Sequence, residues 1–258
     1  GAWTEYDSDY LQKSLADSKF DDVNVYDCTN QWGVFSIAGP KSRNFLKKLV
    51  VSEDPDKTLS NKQFPWLSYR DIEIGMCPVR ALRVAYTGEL GWELHHPIEM
   101  QNYLLDILLS SGKEFNLKLV GARAQNWLRQ EKSYKAFGSD LGRDAGPLES
   151  KLSRFVDINK DFLGKDALLK RKTDVSCVTL LIDGPKDIDP WGREALYNET
   201  EEVMLGRLTS AGYSVHFKRS IGIGYVKSSF SQVGTKLRIK IDDAFWNAEI
   251  VRDSPYDP

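Results

Sequence analysis

Two stretches of the chain concentrate side chains able to hold a polar heterocycle. In Arg83-Val84-Ala85-Tyr86-Thr87-Gly88-Glu89-Leu90-Gly91-Trp92-Glu93-Leu94, a phenol and a carboxylate flank a glycine-bearing turn. A carboxylate accepts two parallel N–H bonds, and a phenol offers a flat wall with one polar tip. Two strands joined by that turn would aim Tyr86 and Glu93 into one cleft. A plain hairpin with a surface glutamate and a half-buried tyrosine fits the same residues, and composition alone does not raise the first reading above it.

The second stretch runs from Gly121 to Leu141. Arg123 and Asn126 stand one helical turn apart, and charged groups interleave with Trp127, Tyr134 and Phe137. A plain amphipathic helix does not need that mixture. Salt-bridged packing under the following loop accounts equally well for Arg129 and Glu131.

Other chemistries find little support. Gly222-Ile223-Gly224-Tyr225 never becomes GxGxxG, and no GxxxxGK[ST] occurs, so a Rossmann flavin or NAD unit is not expected within these residues. Three histidines, two of them adjacent, argue against a histidine metal site or a Ser-His-Asp arrangement; His95 and His96 read as ordinary polar residues at a strand end. Cys28, Cys77 and Cys177 are far apart and lack CxxC spacing, which suits buried, inert thiols in a reducing compartment. Asn198-Glu199-Thr200 fits a glycosylation sequon, but no secretory signal accompanies it. Lys170-Arg171-Lys172 reads as the solvated end of a helix.

The elements that must position these groups follow from periodicity. A short helix capped by Ser8 or Asp9 is expected through Leu15, then strands at Val23–Asp27 and Trp32–Ile37 and a helix over Ser42–Val50. Ser52–Gln63 reads as a loop. Arg80–Tyr86 alternates, with Leu82, Val84 and Tyr86 on one face, and Trp92–His95 returns as its partner. Pro97 opens a leucine-bearing helix, and a further helix spans Ala122–Glu131. A glycine-rich loop follows to Gly146, then a helical stretch from Pro147. Beyond Thr173, short strands at Val175–Ile182, Val203–Ser210, Ile221–Val226, Lys236–Ile241 and Asn247–Val251 suggest a small sandwich or barrel.

The 258 residues suggest about 1.7 domains by length, and an apolar share of 41% is that of a folded chain. The class expected is α+β, with a first domain over residues 1–172 and an all-β second over 173–258. Lys and Arg number 35 against 37 acids, a charge of −2, so no overall field draws the protein to nucleic acid or an anionic membrane. No apolar run approaches the ~20 residues of a membrane span. The first residues lack a signal peptide's basic and apolar regions.

Several motifs, taken in order, resemble the folate-dependent aminomethyltransferase family, which includes the T protein of the glycine cleavage system and the C-terminal halves of dimethylglycine and sarcosine dehydrogenases. They are Ile37-Ala38-Gly39-Pro40-Lys41-Ser42-Arg43, the Tyr86-to-Glu93 hairpin, and Leu128-Arg129-Gln130-Glu131-Lys132 running on to Gly138-Ser139-Asp140. Pro147-Leu148-Glu149, Asp161–Leu168 and Ser254-Pro255-Tyr256-Asp257-Pro258 complete the set. The wording "LRQEKSYKAFGSDL" is closest to the dehydrogenase branch.

That resemblance implies T-protein-like subdomains around a central opening that holds tetrahydrofolate, followed by a small barrel. It assigns Tyr86, Glu93, Arg123 and Tyr134 to the folate. Gln125 stands where the T protein has its folate-contacting arginine, and Arg123 lies two residues earlier. The family also carries an earlier N-terminal region with the aspartate assigned to transfer, and nothing in Asp7–Asp22 matches it, so the catalytic residue is unknown. The implied activity is one-carbon transfer from a small methylated amine or amino acid, with FAD expected only in a domain outside this chain. A lipoyl carrier would be the partner of a T-protein-like enzyme. A sulfonium demethylase and a non-catalytic folate binder would share the same scaffold. The expected compartment is cytoplasm or mitochondrial matrix.

Overall fold

The computed structural model describes residues 3–19, 21–184 and 188–257; Gly1, Ala2 and the closing Pro258 of the terminal motif lie outside them. The chain divides into two compact units, Gly1–Val84 with Leu90–Leu117, and Ala85–Glu89 with Lys118–Pro258.

In the first unit, helix α1 (Thr4–Ala16) begins earlier than a Ser8 or Asp9 cap would place it. Glu5 and Asp7 in its first turn favour that start by facing the positive end of the helix dipole. Val23–Asp27 is not a strand: its β-branched residues find no ladder partner, and Val23 and Tyr26 stay exposed. Strand β1 (Trp32–Ala38) ends at Gly39, whose φ of +126° suits glycine. Helix α2 (Ser42–Lys47) is shorter than expected. The segment read as a loop contains helix α3 (Pro55–Thr58), where the Asp54 carboxylate accepts from Lys57 N and Pro55 sits at the first position.

Strands β2 (Tyr69–Ile74), β3 (Cys77–Leu82) and β4 (Gly91–Pro97) complete an antiparallel sheet in the order β1-β4-β3-β2. β2 carries Tyr, Arg, Asp and Glu on its sequence, which hides its single buried residue, Ile74. Helix α4 (Gln101–Gly112) lays Leu104 and Leu108 on the sheet's inner face, in a core with Phe45, Leu46, Phe64 and Trp92. Each such side chain contributes about 1.5–3 kcal/mol through burial.

The second unit opens on helix α5 (Ala122–Glu131), which matches its expected bounds. The stretch from Pro147 is a turn and not a helix, because Leu152 N closes on Pro147 O and Lys151 takes a left-handed φ of +56°. A short 3₁₀ turn at Ser153–Phe155 and helix α6 (Lys165–Lys170) lead to the barrel. Its strands are β5 (Val175–Ile182), β6 (Ala195–Tyr197), β7 (Met204–Ser214), β8 (Arg219–Lys227), β9 (Lys236–Ile241) and β10 (Ala244–Val251). They close in the order β10-β5-β8-β7-β6-β9, so the strands form a barrel and not a sandwich. β6 has only three residues and no sequence signal of its own.

The Gly222–Gly224 fragment has a packing reason here. A Cβ on Gly224 would meet Arg207 O at 2.5 Å, so glycine lets β7 and β8 approach. Among the described residues, no helix is long and apolar enough to cross a membrane, and no cluster of His, Cys, Asp or Glu could hold a metal ion.

Candidate functional site

The C-terminal turn of α5 is buried through charged residues, an arrangement that needs complete pairing to be tolerated. Arg129, 1% exposed, donates from Nη1 to Asp140 Oδ2 at 2.5 Å and to Tyr134 O at 2.8 Å. Its Nε and Nη2 donate to Asn126 Oδ1 at 3.0 and 2.9 Å, and Nη2 also reaches Ser210 Oγ at 2.6 Å. Asp140 accepts in addition from Ala136 N, Thr209 Oγ1 and Ser210 Oγ. The packing reading of Arg129 is therefore correct. Glu131 is likewise buried, accepting from Ser214 Oγ and His216 N.

This network fixes the turn after α5. Tyr134 N closes on Arg129 O, and Ser133, at a left-handed φ of +56°, bonds Thr179 Oγ1 and Ser254 N. The turn displays the Tyr134 ring and the Lys135 carbonyl. Tyr86 answers both: its ring is stacked with Tyr134, centroids 6.1 Å apart and planes 15° from parallel, and its hydroxyl donates to Lys135 O at 3.2 Å. Burial raises the Tyr86 pKa, Arg129 opposes that and Asp140 adds to it, so the phenol stays protonated at neutral pH.

Tyr86 is not on a strand, although the alternation predicts one. β3 stops at Leu82 because the register slips just beyond it: Arg83 N still donates to Ser68 O, but Arg83 O accepts from Leu67 N, and Val84 N turns back to Leu82 O. Tyr86 then lies in the loop 85–89 of the second unit. Gly88, at φ +79°, lets that loop lie against the Lys132 stem, where a Cβ would be 2.8 Å from the Lys132 Cβ. Tyr256 Oη donates to Glu89 Oε1 at 3.2 Å.

Glu93 belongs to the first unit, on β4 opposite Ser36 and Leu82. Strand alternation turns it away from the buried Trp92 and Leu94, and its side chain is 36% exposed. His95 Nε2 lies 3.1 Å from Glu93 Oε2. His96 departs from the reading of an ordinary polar residue. It is fully buried, stacked on Phe35, with Nδ1 2.9 Å from Leu94 O.

Arg123 does not join the tyrosine pair. Its guanidinium sits 5.1 Å from the Trp127 ring centroid and 5.7 Å from that of Trp191, and it pairs with Asp189. Lys170, Arg171 and Lys172 are exposed at the end of α6, as expected, and Arg171 in addition donates from Nε to the buried Glu149 at 2.6 Å and from Nη2 to Asp144 O. Cys77 and Cys177 are buried as expected, whereas Cys28 is exposed. Sequence reasoning missed Thr209, Ser210, Asp189 and Trp191, which no short-range pattern connects to α5.

Residues 1–160 match the model of the GCVT N-terminal domain, and residues 176–257 that of the glycine cleavage T-protein C-terminal barrel domain. The chain belongs to the glycine cleavage T-protein family. Within this family it is 37% identical over 239 residues to mitochondrial dimethylglycine dehydrogenase of Mus musculus, covering 90% of this chain and 26% of that protein. It is 29% identical over 235 residues to an aminomethyltransferase of Caldanaerobacter subterraneus, covering 91% of this chain and 61% of the relative. The chain thus spans about a quarter of the dehydrogenase. The fold is similar to that of glycine cleavage system aminomethyltransferase T from Bartonella henselae, with a TM-score of 0.73 at 20% identity over 88% of this chain and 60% of that one.

Proposed function

We propose that the chain binds tetrahydrofolate and serves one-carbon transfer from a small methylated amine or amino acid, as the folate-binding portion of a dimethylglycine or sarcosine dehydrogenase-like enzyme. The observation that carries this reading is the Tyr86–Tyr134 pair, held by a fully bonded Arg129–Asp140 ion pair. Parallel aromatic faces on a rigid turn suit a flat heterocycle.

The residues fit such a ligand chemically. Tyr86 and Tyr134 supply flat apolar surface, and Tyr86 is 37% exposed. Glu93 uses one carboxylate oxygen on His95, leaving the other to accept an N–H from a pterin. Arg123 supplies a cation for a carboxylate. Residues 1–172 are proposed as the folate-binding domain and 173–258 as the barrel domain. When bound, tetrahydrofolate supplies N5 and N10 as one-carbon acceptors; the role of these residues is to bind and orient it. FAD would belong to a flavin domain outside this chain, and the compartment proposed is the mitochondrial matrix or cytoplasm.

The likeness to an aminomethyltransferase, of which the chain covers 61%, supports a second reading: aminomethyl transfer from a lipoyl carrier. Calorimetric titration with tetrahydrofolate tests what both readings share. Saturable binding that is weakened about tenfold in Tyr86→Ala supports them; no binding by the intact chain overturns both. Acceleration of one-carbon capture by tetrahydrofolate when a separately supplied flavin dehydrogenase oxidises dimethylglycine, against turnover of an aminomethylated lipoyl carrier, then separates the two.

A further inference from the structure

Residues 254–257 fold back over the turn that displays Tyr134. Ser254 takes a left-handed φ of +52°, a strained conformation for serine that persists only where its surroundings impose it. Both of its polar groups are fixed on that turn: N donates to Ser133 Oγ and Oγ donates to Lys132 O, each at 2.9 Å. Pro255 restricts the backbone that follows. Tyr256 N then donates to Glu131 O at 3.2 Å, and Asp257 pairs with Lys132. The exposed ion pair adds little, so the Ser254 and Tyr256 hydrogen bonds do most to hold the segment.

Tyr256 also reaches beyond the turn. Its ring packs against His216, centroids 4.2 Å apart, and the His216 N donates to the buried Glu131 carboxylate. Its hydroxyl donates to Glu89 Oε1 at 3.2 Å. The Glu89 charge raises the Tyr256 pKa, with desolvation and Glu131 adding, so the phenol remains the donor at neutral pH. Glu89 ends the loop that carries Tyr86. Three contacts place that loop: Tyr86 on Tyr134 and Lys135 O, Gly88 on the Lys132 stem, and Glu89 on Tyr256. The first of these is the aromatic surface itself, so Glu89 is the polar anchor that leaves the surface free.

We propose that Tyr256 and Glu89 are positioning residues: residues 254–257 form a strap whose Tyr256 hydroxyl, through Glu89, holds loop 85–89 with Tyr86 in register against Tyr134. Neither residue needs to touch a ligand. That the tyrosine pair receives tetrahydrofolate rests on the reading under Proposed function; the strap does not. With the strap closed, the aromatic surface is formed before a ligand arrives. Without it, ordering the loop is coupled to binding and lowers the affinity.

Thr87 supplies a reporter of loop position. Its Oγ1 is buried and makes no hydrogen bond among the described residues, so Thr87→Cys places a shielded thiol on the loop without breaking one. In a Cys28→Ser background the two native thiols left, Cys77 and Cys177, are buried and report opening of the whole fold. Labelling of the introduced thiol by a thiol reagent is expected to quicken about fivefold in Tyr256→Phe and in Glu89→Ala, each of which removes the same hydrogen bond. Cys77 and Cys177 should label as before. Combining the two substitutions should add nothing further. Glu89→Gln keeps an acceptor for the phenol and should stay within about twofold of the parent.

Calorimetric affinity of the full chain for tetrahydrofolate, without the reporter, is expected to fall about threefold in Tyr256→Phe and Glu89→Ala, and to recover in Glu89→Gln. Unchanged loop labelling, a rise shared by Cys77 and Cys177, or no rescue by Glu89→Gln overturns the proposal. Loop release that leaves tetrahydrofolate affinity unchanged also overturns it. The expected labelling pattern, with no tetrahydrofolate binding by the wild type, keeps the strap and overturns the folate reading. Tetrahydrofolate binding with unchanged loop labelling does the reverse.

Discussion

The phenol of Tyr86 donates to the carbonyl of Lys135 at 3.2 Å, while its ring lies 6.1 Å from that of Tyr134 at 15° from parallel. One residue from the loop 85–89 thereby meets two consecutive groups of the turn after α5: a side chain and a main-chain oxygen. The ring contact supplies apolar surface, and the hydrogen bond fixes the tilt. The two contributions are separable by substitution.

Tyr86→Phe keeps the ring and removes only the bond to Lys135 O. Tetrahydrofolate affinity is expected to fall by about threefold or less, since a single neutral hydrogen bond contributes modestly. Tyr86→Ala removes the aromatic surface and is expected to weaken binding by roughly tenfold. Equal losses in the two variants, measured by calorimetry, would mean that the ring is not the binding element.

Glu93 stands on β4 with its carboxylate partly open. Replacing it with alanine is expected to weaken tetrahydrofolate binding by more than about tenfold, because a charge-assisted acceptor for the pterin N–H groups is lost. The surroundings tolerate the change, since the side chain points away from the core that contains Trp92 and Leu94. Unchanged calorimetric affinity would sink this assignment, and an unchanged urea midpoint would show that the fold is not at issue.

The Arg129–Asp140 pair has side-chain exposures of 1% and 0%. Removing one partner of a buried pair leaves the other charge without compensation, at about 3–5 kcal/mol. Asp140→Ala should therefore lower the urea midpoint strongly, through Arg129 and through Ala136 N, Thr209 and Ser210, which also lose their acceptor. A midpoint within experimental error of the wild type would contradict the role given to this pair. Asp140→Asn keeps the shape and some acceptor capacity, so it should fall between.

Much of this architecture is readable along the chain, because α5, β5 and β9 follow local rules. Helical spacing marks α5, an apolar run marks β5 and apolar–polar alternation marks β9, and turn residues separate the barrel strands. β2 and β6 are silent for opposite reasons: one alternates polar groups outward over a single buried residue, and the other is too short for a period. The residue pattern singles out Tyr86 but misplaces it on a strand, since alternation continues past Leu82 although the ladder does not. Asp140 acts through Thr209 and Ser210, far away in sequence, and such long-range satisfaction of a buried charge leaves no local trace.

Cys177 gives an alkaline signature. Its thiol is 1% exposed, and burial pushes its pKa up from 9.0 to about 11, with Lys135 opposing and Asp140 and Asp253 adding. The folded state thus holds this proton more tightly than the unfolded chain. Between pH 9 and 11 the unfolded chain releases the proton while the folded one retains it, so stability declines as pH rises through that window. The full decline from this group is roughly 2–3 kcal/mol. Cys177→Ala removes the titration while lowering stability at neutral pH through the small cavity it leaves. Plotted against pH, its urea midpoint should therefore fall less steeply than the wild type's above about pH 9, and the two curves should converge. Parallel curves would show that Cys177 does not carry this effect. The same burial keeps the thiol unreactive at neutral pH, so a thiol reagent should label the exposed Cys28 in the folded protein and reach Cys77 and Cys177 only after denaturation.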